Sequence, residues 1–260
     1  MAARALAGER TSVKGIDPLV TSLGVLAGAN VLNNRVAERW APVTSAVATA
    51  ALLGVARREG LTWPALGFER AERGARIGGL LAAGVAAVYA AGIALPRTRP
   101  LFHDERALAL SRGRLLEEIL VQVPVGTVLL EEVAFRGVLP ALLARRCSSR
   151  TALAGSAALF GLWHVLPSMD MARANPALGG MASDPTVLTA GPAGSAGLTA
   201  GRRPATARVV AGTVVSTAAA GVLFHELRRR GGLLAPSLFH LATNSFGYVA
   251  ARVAARVASR

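Results

Sequence analysis

Three ionisable side chains fall within six residues, Glu131-Glu132-Val133-Ala134-Phe135-Arg136, inside a run that is otherwise largely apolar from Val121 to Ala144. Glu or Arg at the centre of a membrane helix costs about 2.5–3.5 kcal/mol each, so such groups need partners in a protein interior or a water-filled cavity. Two further pairs supply candidates: Phe160 with His164, and His240 with Asn244, each on its own apolar segment. A carboxylate, two imidazoles and a carboxamide converging on one point suit hydrolysis. The carboxylate takes a proton from water, and the other groups stabilise the oxyanion of a tetrahedral intermediate.

Residues four apart lie over one another on a helix face. Glu132 and Arg136 are such a pair, as are Phe160 with His164 and His240 with Asn244. Glu131 points about 100° away from Glu132, so the two adjacent glutamates should not share a job. Glu132 is expected to hold Arg136 in an ion pair that neutralises both. Glu131 is left to face a cavity as the catalytic base. Phe135 and Phe160 are expected to pack and shape that cavity. Trp163, beside His164, either walls the site or anchors at an interface.

The scaffold for these residues must itself lie in the membrane. The chain has 260 residues, 52% of them apolar and only 5% aromatic, with a mean hydropathy of +0.44. Charges bunch at Arg57-Arg58-Glu59, Glu69 to Arg76, Arg97 to Arg114, Arg145 to Arg150, Arg202-Arg203 and Arg228 to Arg230. Between the bunches lie uncharged stretches of roughly 15–20 residues, the length that spans or nearly spans a bilayer core. This patterning predicts an all-α polytopic membrane helix bundle with about 7–8 transmembrane or membrane-embedded helices.

The segments are expected near Pro18–Leu32 and Ala41–Ala56, both short, and at Ile77–Leu95, the cleanest span. After the charged connection 97–114 comes Leu115–Val128, amphipathic and interrupted by Pro124, then a motif helix from Gly126 to Arg145. Further helices are expected at Thr151–Leu166, Val209–Leu227 and Leu233–Val253. Residues 1–114 thus form N-terminal membrane helices and connections, and 115–260 carry the polar motifs. Pro167 to Arg208 is long, rich in Gly, Pro and Ala and without a helical period, so a flexible insertion at 167–206 outside the bilayer, with the place of a lid, is expected.

The net charge of +14 is spread over loop after loop, as at membrane borders facing anionic headgroups, and not gathered on one face with aromatics. Nucleic acid is therefore not an expected partner; a lipid bilayer and a peptide or protein substrate are. The lone Cys147 excludes an internal disulfide and a thiolate metal cluster. The Arg-over-Lys and Ala bias fits a GC-rich genome, and a multi-pass protein of a bacterial inner membrane is expected. Both sets of loops carry Arg, so orientation stays open. Glu117 and Glu118, beside Arg112 and Arg114, read as a solvated interfacial face. His225-Glu226 reads as an interfacial cap next to three arginines, and His103-Asp104-Glu105 as a solvated connection.

Taken in order, Glu131-Glu132-x-x-Phe135-Arg136, Phe160-x-x-x-His164 and His240-x-x-x-Asn244 resemble the CPBP family of intramembrane proteases. That family comprises CAAX prenyl endopeptidases and the bacteriocin-processing and immunity proteins called Abi. The run Leu227 to Pro236 ahead of His240 looks like the family's approach to its third motif. The resemblance implies an intramembrane endopeptidase in which Glu131 activates water, Glu132 and Arg136 support it, His164 is the second-motif histidine, and His240 and Asn244 bind the oxyanion. It carries both metalloprotease and glutamic-protease descriptions. No HExxH is present; Glu131, His164 and His240 are the residues that would hold zinc, but a separate base is then hard to name. No cofactor is therefore expected to be required. The competing classes are a non-proteolytic membrane scaffold or immunity protein, and an ion transporter lined by the same Glu and His.

Overall fold

The computed structural model describes residues 16–174 and 202–259, and every regular element among them is helical. The first two helices follow local signals. Asp17 caps α1 (Pro18–Val31) by accepting from the Leu19 and Val20 N–H groups, with Pro18 in the first turn where it costs no hydrogen bond. A short π turn and a 3-10 turn lead to α2 (Ala41–Arg58). Ser45 on α2 accepts from Asn33 and donates to the Gly126 carbonyl, which fastens this hairpin to the motif helix.

Among the described residues, helix α3 (Ala71–Ala94) is one of three helical stretches long and apolar enough to cross a membrane, with Ser149–Arg173 and Thr206–Gly231. It exposes Leu80 at 76% and Val88 at 67%, the apolar outer surface expected of a lipid-facing helix. A membrane helix bundle is thus borne out.

The motif helix differs from expectation. It runs without a break over 112–143 (α4), through Pro124, where two separate segments were expected. Its winding widens to the π form over Glu118–Leu129, which contains Pro124, and again over Val133–Val138, which contains Phe135 and Arg136. A π turn bonds five residues along in place of four, and the wider turn accommodates a ring that would break an α-helix.

Helix α5 (Ser149–Trp163) starts at the Ser148 cap and stops at His164, which leaves the helical register at φ −84°, ψ 3°. The segment expected as a loop from Pro167 is helix in its first part: α6 covers Val165–Ala174, with Pro167 in its first turn, where proline is tolerated. Helix α7 (Arg202–Gly231) begins earlier than expected. The remainder of the proposed lid, residues 175–201, lies outside the described residues. Gly161 allows α7 to cross α5 one turn before His164, since a Cβ there would sit 2.5 Å from the Val214 carbonyl oxygen.

Helix α8 (Leu234–Ala258) follows the turn at Gly232, whose φ of 63° and approach to the Glu69 carbonyl leave no room for a side chain. Leu233 N–H donates to the Gly67 carbonyl and Arg70 to that of Arg229. These bonds dock the start of α8 on the α2–α3 connection. The main core, built from Leu52, Leu66, Leu130, Val138, Leu139 and Phe160 among others, sits around the motif turn of α4.

Candidate active site

The motif turn of α4 is buried: Glu131 is 3% exposed, Glu132 1% and Arg136 0%. Its partners come from α5 and α8. Ser156 on α5 donates to the Phe135 carbonyl at 2.7 Å, which sets the two helices side by side just before the site. On α8 the Thr243 hydroxyl donates to the His240 carbonyl, and Tyr89 of α3 donates to that of Thr243.

Glu132 does more than pair with Arg136. Its Oε1 lies 2.8 Å from His240 Nδ1 but 3.5 Å from Arg136 Nη1, so the imidazole is its hydrogen-bond partner and the guanidinium a looser ion pair. The π turn explains the shift. Where the helix widens, a residue four positions on no longer stands squarely over its mate. Arg136 instead lies against two aromatic rings, with Cζ 3.8 Å from the centroid of Phe160 and 4.6 Å from that of Phe224. Its nitrogens are buried and hydrogen-bond to no described residue. Cation–π attraction grows when the cation is desolvated, so the two rings offset part of its burial cost.

Glu131 faces both imidazoles. Its Oε2 stands 3.7 Å from His240 Nε2 and 3.9 Å from His164 Nε2, and is buried without a hydrogen-bond partner among the described residues. Its Oε1 accepts from the Trp163 indole N–H at 2.8 Å. The histidine tautomers follow from their outer bonds. His164 Nδ1 is 2.8 Å from the Phe160 carbonyl oxygen, which only accepts, and His240 Nδ1 meets a carboxylate. Both Nδ1 atoms therefore donate, which turns both Nε2 atoms toward Glu131. Phe160 packs its ring edge-on to His164 at 4.6 Å, and Phe224 lies 5.3 Å from His240.

Glu131, Glu132, Arg136, His164 and His240, read from sequence as one cluster, thus lie within one group, buried except for the half-buried His164, with Phe135 and Phe160 packed around it. Asn244 is one turn beyond His240 on the same face of α8; its half-buried amide hydrogen-bonds to no described residue. Trp163 was read only as a wall or an anchor, and Phe224 was not singled out. Trp163 stands at an unspecified position of the second motif and Phe224 in no motif, and only the packing of α5 and α7 against α4 brings them in.

The donors zinc would need are Glu131, His164 and His240. Around tetrahedral zinc with bonds of about 2.0–2.1 Å, ligand atoms stand roughly 3.3–3.4 Å apart. The separations here are 3.7 and 3.9 Å, and among the described residues no three His, Cys, Asp or Glu side chains reach metal-binding geometry. As arranged, the donors do not fit the ion.

The outlying clusters behave as border groups. Glu226 pairs with Arg229 at 3.0 Å and Arg230 at 2.7 Å. Asp104 caps a short helix, Glu105–Ala109, and pairs with Arg106 at 2.8 Å. Glu117 pairs with Arg114; Glu118, more buried than a solvated face would be, also reaches the Tyr248 hydroxyl at 3.5 Å.

A family model described as type II CAAX prenyl endopeptidase Rce1-like matches residues 116–246. No curated protein and no solved structure matches the chain. The matched span holds all three polar motifs and covers half of the chain, and with it the resemblance to the CPBP proteases is borne out. Apolar helices around a buried polar cluster, together with this match, show that the protein belongs to the Rce1-like family of type II CAAX prenyl endopeptidases, membrane-embedded proteases.

Proposed function

We propose that this protein cleaves a peptide bond of a membrane-anchored substrate with a water molecule activated by Glu131, without a metal ion. The observation that carries the reading is the pair of oxygens on Glu131. Oε1 is committed to the Trp163 indole, while Oε2 is unpartnered and faces the Nε2 atoms of His164 and His240. Three acceptor atoms turned on one another repel unless a proton donor lies among them. A water among them can donate one hydrogen to Glu131 Oε2 and the other to an imidazole Nε2, at about 2.8 Å each.

In this mechanism the water gives one proton to Glu131 Oε2 and its oxygen attacks the carbonyl carbon of the scissile bond. The carbonyl becomes an oxyanion, stabilised by the Asn244 amide N–H. Glu132 holds the His240 ring through Nδ1, so that its Nε2 stays turned toward Glu131. As the tetrahedral intermediate collapses, the proton on Glu131 passes to the leaving amine and the carboxylate is restored.

The test is cleavage of a quenched fluorescent peptide carrying a farnesylated cysteine by purified protein in detergent. Glu131→Gln is expected to abolish turnover while the variant still inserts and unfolds cooperatively. Near wild-type cleavage by Glu131→Gln would remove Glu131 as the base. Absence of cleavage in the wild type, with binding of the peptide retained, would favour a non-proteolytic role.

A further inference from the structure

Oε1 of Glu131 takes its hydrogen bond from a residue whose type none of the three motifs specifies. Trp163 is the last residue of α5, and His164 leaves the helix directly after it. The two neighbours therefore meet the same carboxylate from different sides, Trp163 Nε1 at Oε1 and His164 Nε2 at Oε2. An indole nitrogen donates and never accepts. Its bond at 2.8 Å therefore holds Oε1 as an acceptor and resists rotation of the carboxylate.

Trp163 is itself held from two directions. Its ring stands edge-on to Phe135 at 5.6 Å. Its carbonyl accepts from the Asn30 side chain at 2.9 Å, from α1, across 133 residues. Arg35, in the π turn after α1, reaches the Leu166 carbonyl at 3.3 Å and pairs with Asp170 at 2.8 Å, gripping the chain just past His164. Helix α1 lies outside residues 116–246, the span matched to the family.

We propose that Trp163 is a positioning residue for the reaction: its indole N–H fixes Glu131 so that Oε2 alone meets the water, with Asn30 of α1 holding Trp163 in place. This rests on Glu131 being the base. The first helix thereby becomes a working part of the site and not only an anchor. A carboxylate free to rotate would present either oxygen, and the water would lose its place between the imidazoles.

The test separates the N–H from the ring. Replacing Trp163 by benzothienylalanine keeps the bicyclic ring and puts sulfur where the N–H was. That variant and Trp163→Phe are expected to lower kcat by about 10–100-fold, the scale of small misplacements in a site, with KM within about threefold of wild type. Asn30→Ala is expected to lower kcat in the same sense and by less. In protein labelled at the indole nitrogens of Trp40, Trp63 and Trp163, the signal lost in Trp163→Phe should move in Glu131→Leu while the other two stay.

A benzothienylalanine variant within about twofold of wild-type kcat, or a Trp163 signal unmoved by Glu131→Leu, overturns the proposal. Loss of rate in Trp163→Phe alone assigns Trp163 to packing and overturns it as well. Should Glu131→Gln cleave like wild type, the base assignment fails instead, and the indole signal still decides whether the bond exists.

Discussion

Glu132 and His240 are joined by a 2.8 Å hydrogen bond across 108 residues of sequence, and the same carboxylate oxygen stands 3.5 Å from Arg136. One buried carboxylate thus orients an imidazole of the site and balances the charge of a guanidinium that bonds to nothing else among the described residues. Removing it should be felt in two ways. Glu132→Ala leaves Arg136 buried without its counter-charge, and a loss of about 3–5 kcal/mol is expected. Glu132→Gln keeps an acceptor and should fold, but its amide can also donate to His240 Nδ1 and so set the other tautomer. Its kcat should fall by up to about 10⁴-fold, as when an orienting carboxylate is exchanged for an amide beside a catalytic imidazole. Thermal unfolding in detergent and peptide turnover read the two effects separately; a Glu132→Gln enzyme at wild-type rate would contradict the second.

Asn244 should show the opposite balance. Its amide hydrogen-bonds to no described residue, so Asn244→Ala removes no bond from the resting protein. If the amide donates to the oxyanion, kcat should drop by about 10²–10³-fold, the loss seen on removing one such donor, with Tm within a degree or two of wild type. Equal turnover in the variant would withdraw Asn244 from the mechanism.

The spacing of Glu131, His164 and His240 gives a prediction about metal. Cleavage by purified protein should survive prolonged treatment with a strong chelator followed by its removal. Complete loss of activity, restored by added zinc, would reassign these three residues as ligands and require another base.

At one border of the bundle, Asp17 caps α1 and pairs with Arg146 at 2.6 Å. The Arg146 hydrogen bond, helped by the Leu19 and Val20 N–H groups, holds the Asp17 carboxyl below its ordinary value. A carboxyl so lowered adds stability above its unfolded value, about 3.9, and loses that contribution as pH falls through the lower folded value. Asp17→Asn keeps a capping side chain and removes the charge. Its Tm should lie below wild type near neutral pH, and the gap should close below about pH 4 and narrow in about 1 M salt. A gap that widens in acid would refute the pairing.

The helices most legible in the sequence were those bounded by local chemistry. The expected segments Pro18–Leu32 and Ala41–Ala56 nearly coincide with α1 and α2, because caps, prolines and charge borders act within a few residues. Proline was the least reliable guide. Pro124 did not end a helix, since the turn widened around it, and Pro167 did not start a loop, since it lies in the first turn of α6. In both cases the backbone found a winding that a residue-by-residue rule does not anticipate.

Sequence alone determined that the chain is a helical membrane protein and that Glu131, Glu132, Arg136, His164, His240 and Asn244 are its unusual polar residues, because hydropathy and the cost of buried charge depend on composition and order. Only the tertiary structure decided which of these atoms meet. That Glu132 bonds His240, that Arg136 lies against Phe160 and Phe224, and that Trp163, held by Asn30, reaches Glu131 depend on which faces of five helices are turned together. Close packing between helices distant in sequence sets those faces, and no spacing within a single helix encodes it.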